Sequence, residues 1–208
     1  MRRALTIDTS EPTEKIIEKS RFIAYSSRAE SEEAARAFLA ALQKEHPFAT
    51  HVCYAYICDK TGNIQRFSDN GEPQGTAGMP ILENLKNRGL VLSALAVVRY
   101  FGGVKLGAGG LTRAYFSAAN EHLEKARLCE IVPCETWRFF TEYAAAESVK
   151  KLLGKQGLIP TVTYAEKAEF LLRVKTSQAE ELRRALSDLL CGKAEITVKE
   201  ISDGFFPV

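Results

Sequence analysis

Residues 90–98 (LVLSALAVV) are almost continuously apolar, and five of the nine residues 102–110 just beyond them are glycine. A run of that length without polar alternation fits a central strand buried on both faces, with other elements packed above and below it. Gly102, Gly103, Gly107, Gly109 and Gly110 allow positive φ and close approach of another backbone or a ligand. Helical spacing resumes over 111–128, where Leu111, Tyr115, Ala118, Ala119 and Leu123 form one apolar stripe. The segment reads as strand, glycine turn and helix N-terminus.

The free N–H groups and macrodipole of a helix N-terminus favour an anion. Arg99, Lys105 and Arg113 add three positive charges, and no acid falls between 99 and 113. Phosphate suits such a place. The named phosphate motifs do not fit: a Walker A loop needs Gly-Lys-Ser/Thr, and Thr112 stands where the Rossmann fingerprint has its last glycine. A glycine turn that only lets strand and helix pack tightly is the alternative.

A second loop, residues 68–79 (SDNGEPQGTAGM), carries Ser68, Asp69, Glu72 and Thr76. Two carboxylates three residues apart suit acid–base chemistry or a cation. They equally suit an Asx-turn and a helix cap, with Thr76 capping the helix that follows. His51, at the start of a strand, is a candidate polar site residue or a structural one. Ser68 has no His and Asp arranged around it as a nucleophile needs.

Around these loops the order is legible. Residues 15–28 look like one strand. Ser31 opens a helix with Ala35, Phe38, Leu39 and Leu42 inward, and His46-Pro47 ends it. Residues 51–58 and 64–67 form a hairpin about Thr61-Gly62-Asn63, and a short helix covers 79–88 before Gly89. A break falls near Pro133. Beyond it come strand 135–143, helix 144–153 closed by Gly154, strands 159–164 and 168–175, helix 177–190 and strand 194–201. Ser177 and Glu180 form a capping box, and Ile196 and Val198 share a face. That is β-α-β-β-α-β, the ferredoxin-like unit. Phe140 and Phe170 are expected inside and Trp137 in the core or at a domain interface, without the exposed aromatics of an RNA-recognition sheet. The fold class is α+β, with domains 1–133 and 134–208.

Composition excludes several classes. The 208 residues are 46% apolar and 26% charged, and net charge is +2, so this is not a disordered chain. Bulk attraction to a polyanion needs a more basic chain, so any anion site must be local. No apolar run is long enough to span a bilayer, and Arg2 and Arg3 are not followed by a signal-peptide core. The expected compartment is the cytoplasm, with no membrane partner. Cys53/Cys58 and Cys129/Cys134 lack zinc-ligand spacing, so the cysteines read as free thiols, and no metal or cofactor is expected.

Three runs together carry a family resemblance: Lys19-Ser20-Arg21-Phe22-Ile23; Phe67 to Pro73 with Gly75-Thr76-Ala77-Gly78; and Val97 to Gly103 with Leu106-Gly107 and Gly109-Gly110-Leu111. The chain resembles, over nearly its whole length, the bacterial YigZ-type branch of the IMPACT family. The resemblance implies a first domain like the second domain of ribosomal protein S five, and a ferredoxin-like second domain similar to late domains of elongation factor G. Eukaryotic members are associated with translational control. This chain lacks room for their partner-binding N-terminal domain, so what carries over is association with RNA or the translation apparatus. No catalytic residue carries over.

The resulting expectation is a non-catalytic protein that holds RNA or ribosome phosphates with Arg21, Arg99, Lys105, Arg113 and the glycine loop. One alternative is a phosphate- or nucleotide-binding enzyme related by fold to small-molecule kinases, with Asp69 or Glu72 as base or Mg²⁺ ligand. Another is a protein–protein adaptor.

Overall fold

The computed structural model describes residues 4–208, so Arg2 and Arg3 lie outside the described residues. The fold is α+β. Its first compact unit runs to Ile131 and takes in Phe206–Val208, and the second is Val132–Phe205.

The first unit is built on an antiparallel sheet of order β2-β3-β6-β4-β5, comprising β2 (Thr13–Ile17), β3 (Ser20–Arg28), β6 (Ser93–Tyr100), β4 (His51–Ile57) and β5 (Gln65–Ser68). β6 is central and buried from Ser93 to Arg99. On one face Leu95 and Val97 pack with α2 (Gly78–Asn87) and α3 (Gly107–Lys125); on the other Ala94 and Ala96 pack with α1 (Glu32–Glu45). Ser31 caps α1 by accepting the Ala34 N–H at 3.2 Å.

Four boundaries differ from the sequence reading. The single strand expected over 15–28 is a two-residue hairpin, because Glu18 and Lys19 both take positive φ, 45° and 64°. Neither is a residue type that advertises such a turn. β1 (Leu5–Thr9) went unforeseen; it pairs with the start of β7 (Arg127–Thr141) and sends Ile7 into the core. The central strand starts at Ser93, since Leu92 has φ +48°. The last departure bears on function: α3 begins at Gly107, so Gly109 and Gly110 are helical and the glycine loop is shorter than expected.

The second unit follows as α4 (Tyr143–Lys155), β8 (Thr161–Tyr164), β9 (Ala168–Lys175), α5 (Thr176–Leu189) and β10 (Thr197–Pro207). With β10 on β7 and the path β7-β9-β8, its strand order is that of a ferredoxin-like sheet. α4 runs through Gly154 and stops before Gly157, at φ +71°. The capping box is absent: α5 starts at Thr176 without a side-chain cap, and Glu180 bonds Arg184 instead. Trp137, Phe139 and Phe170 are fully buried. Phe140 is not; it faces out, 46% exposed, with the Arg138 guanidinium 5.0 Å from its ring centre. Alternation along β7 decides this, because Phe139 takes the inward position. Val198 is also outside, while Ile196 packs on the core. Among the described residues no helix is long and apolar enough to cross a membrane.

Candidate nucleic-acid interface

The family-like runs converge on one buried polar cluster. Arg99, near the end of β6, donates from Nη1 to Glu72 Oε1 at 2.6 Å and from Nη2 to Ser20 Oγ at 3.2 Å. Tyr115 of α3 donates its hydroxyl to the same Oε1 at 2.8 Å. Cys53 on β4 reaches the Tyr115 oxygen at 3.4 Å and the Asp69 carbonyl at 2.9 Å. Burial pushes the Cys53 thiol up to about 12, the largest of its influences, so it stays protonated. The Arg99 side chain is 5% exposed and that of Glu72 3%. Sequence reasoning counted Arg99 as a phosphate ligand. The side chain points inward because β6 alternates and Arg99 shares the face of Val97, so its charge is spent on Glu72.

The loop carboxylates are likewise committed internally. Asp69 accepts the backbone N–H groups of Gly75, Ala77 and Gly78 at 2.8, 2.9 and 2.8 Å. Burial alone would raise its pKa, but the three donors together outweigh that and hold it below the usual carboxylate range. Asp69 thus does the capping expected of Thr76, whose Oγ1 donates to the Pro73 carbonyl at 2.6 Å. Ser68 Oγ accepts the Asn70 N–H at 3.1 Å and has no base beside it among its bonds. His51 donates from Nδ1 to the Asn70 carbonyl at 2.8 Å, with Nε2 3.9 Å from Glu72 Oε2. These contacts make the loop a brace between β4, β6 and α2, with the Asp69 oxygens and Glu72 Oε1 taken by internal donors. Among the described residues no cluster of three or more His, Cys, Asp or Glu is placed to hold a metal.

The glycines divide by role. A Cβ on Gly102 would sit 1.9 Å from the Lys19 carbonyl oxygen, so only glycine fits there, and its N–H donates to Ser20 Oγ at 3.2 Å. Gly103 follows with φ +88° and open space around it. Gly107, Gly109 and Gly110 form the first turn of α3, which has no side-chain cap and no acid.

Of the four expected cations, Lys105 and Arg113 are brought together. Both are exposed and line a groove of about 630 Å³ with Val104, Leu106 and Gly110; Glu18 is its acid. Arg21 lies elsewhere, in a bidentate pair with Glu14 at 3.0 and 2.8 Å and over the Tyr100 ring. That pairing raises Arg21 and lowers Glu14. Sequence reasoning missed the partners Ser20, Cys53 and Tyr115. Ser20 carried no signal beyond the motif itself, Cys53 read only as a free thiol, and Tyr115 showed only as part of an apolar stripe.

Residues 18–123 match the Impact N-terminal domain, a span that includes every cluster residue. The chain is 36% identical to the IMPACT family member YvyE of Bacillus subtilis, over 95% of this chain and 91% of the relative. It is 36% identical to the IMPACT family member YigZ of Escherichia coli, over 88% and 92%. It is 42% identical to an IMPACT family member of Thermus thermophilus, over 86% and 97%. A crystal structure described as that of a hypothetical protein aligns with a TM-score of 0.63 at 30% identity, covering 96% of this chain and 98% of that one.

Proposed function

The chain belongs to the IMPACT family, and from that premise we propose that it is a non-catalytic RNA- or ribosome-binding protein of translational control. In this reading residues 1–133 form the domain that meets phosphates, at the N-terminus of α3 between Lys105 and Arg113. Residues 134–208 form the domain that docks on protein or RNA.

One observation carries the reading. The first turn of α3 has neither a side-chain cap nor an acid, and it lies between two exposed cations that form no ion pair among the described residues, with Glu18 the one acid lining their groove. Unpaired N–H groups and a positive macrodipole end are stabilised there by an anion. Arg99 is removed from the ligand set, and the Glu72 brace instead supports the strand that delivers the turn. The same brace weakens the enzyme alternative, because its catalytic carboxylates are held by internal donors.

The test is co-sedimentation with ribosomes and with total RNA over a salt series, wild type beside the Lys105→Glu, Arg113→Glu double variant. Binding that fades with salt and with charge reversal supports the reading. A double variant that still binds at low salt as wild type does overturns it.

A further inference from the structure

We propose that Phe101 is a stacking platform for an unpaired nucleobase, set beside the phosphate-binding turn; the proposal rests on the RNA reading above and specifies its ligand as single-stranded. Phe101 directly follows β6, yet it is 47% exposed. The Arg99 guanidinium carbon lies over its ring, 5.4 Å from the centre, and also 5.4 Å from the Phe22 ring. Arg99 Nε is buried without any hydrogen-bond acceptor, so aromatic faces are what it meets.

The ring is carried on a fixed backbone. The Phe101 N–H donates to Thr50 Oγ1 at 2.9 Å, the Thr50 N–H donates to the Arg99 carbonyl at 2.8 Å, and Gly102 is wedged against Lys19. An exposed aromatic held this way loses little freedom when a flat ligand stacks on it. Phe48, two residues before Thr50 in the sequence, is a second exposed aromatic, 88% exposed. Lys105 follows Phe101 by four residues, and α3 starts two residues later. Single-stranded nucleic acid is held by stacking bases on aromatic rings and phosphates on nearby cations, the combination that Phe101 and, four residues on, Lys105 supply along this segment. A duplex keeps its bases stacked internally and gains nothing from the ring.

The simpler role for Phe101 is to shield the Arg99–Glu72 pair from water, and Phe101→Leu separates the two because leucine covers but does not stack. The probes are a labelled twelve-residue oligouridylate and a twelve-base-pair RNA duplex, titrated by fluorescence anisotropy. The expected result is about tenfold weaker binding of oligouridylate by Phe101→Leu and unchanged duplex binding, with a small fall in melting temperature from the lost Arg99–ring contact. Phe101→Trp keeps wild-type affinity, and its added fluorescence is quenched by oligouridylate. Wild-type affinity in Phe101→Leu, with binding lost in Lys105→Glu, Arg113→Glu, overturns the platform and leaves the phosphate site standing. Equal loss on both probes with a lowered melting temperature assigns Phe101 to shielding alone. Failure of wild type to bind either probe overturns both.

Discussion

Arg99 Nη1 lies 2.6 Å from Glu72 Oε1, with both side chains at least 95% buried. The two residues are 27 positions apart, on β6 and on the loop ahead of α2, and Tyr115 of α3 closes on the same oxygen. One carboxylate on the loop ahead of α2 therefore joins the central strand to α3. Signature runs that look like a ligand site in the sequence are, in this part, the internal frame that holds the site.

Breaking this pair on one side leaves a buried charge without its partner, which costs about 3–5 kcal/mol. Glu72→Ala is expected to lose that much in urea unfolding followed by circular dichroism. Glu72→Leu combined with Arg99→Met is expected to lose less than either change alone, because no charge is stranded. A double variant as unstable as the sum of the singles contradicts this account.

Adjacent glycines should respond differently to alanine. At Gly102 a Cβ meets the Lys19 carbonyl at 1.9 Å, so the hairpin and β6 must part. At Gly103 there is open space and only the φ of +88° is strained. Gly102→Ala is expected to cost more than about 3 kcal/mol and Gly103→Ala about 1 kcal/mol. Equal melting temperatures for the two variants would count against the close approach.

Acid should weaken the first unit through His122. Its ring is fully buried, with Nδ1 3.2 Å from Thr13 Oγ1 and Nε2 2.9 Å from Ser26 Oγ. Burial, and then Lys125, lower its pKa to about 4. The unfolded imidazole takes a proton near 6.5, so proton uptake favours the unfolded chain between those values. The stability from a neutral His122 is whole above 6.5 and is lost as pH falls toward 4, roughly 2 kcal/mol by pH 5. Urea midpoints at pH 7.5 and 5.0 measure it, and His122→Gln is expected to flatten the difference.

The thiols give a count. Cys53, Cys58, Cys129 and Cys134 are buried and Cys191 is exposed. Burial raises Cys53 to about 12 and Cys58 to about 11. A thiol reagent at pH 8 is expected to titrate one cysteine in the native protein and all five in denaturant. Rapid reaction of two or more in the native state would contradict the buried placement.

The sequence carried the large pattern well. Apolar spacing foretold the buried central strand, α1 with its Ser31 cap, and the order of the second unit, because each is set by local periodicity. It failed where tertiary partners decide. Glu18 and Lys19 turn at positive φ because β2 and β3 demand it. Arg99 looked like a free cation because its acceptor lies 27 residues away. The one-residue step between Phe139 and Phe140 put one ring in the core and one outside, and composition alone does not tell them apart. Lys105 and Arg113, which the sequence offers as phosphate-binding cations, stay exposed along one groove, and their role is the proposal tested below.

The central claim is that Lys105 and Arg113 meet phosphates directly. The measurement closest to it is the slope of log binding constant against log salt for a single-stranded RNA, wild type beside Lys105→Gln, Arg113→Gln. Each neutralised phosphate contributes about 0.7 to that slope on a single strand, so the variant is expected to be shallower by roughly 1.4. An unchanged slope would mean the phosphates are held elsewhere and would contradict the account.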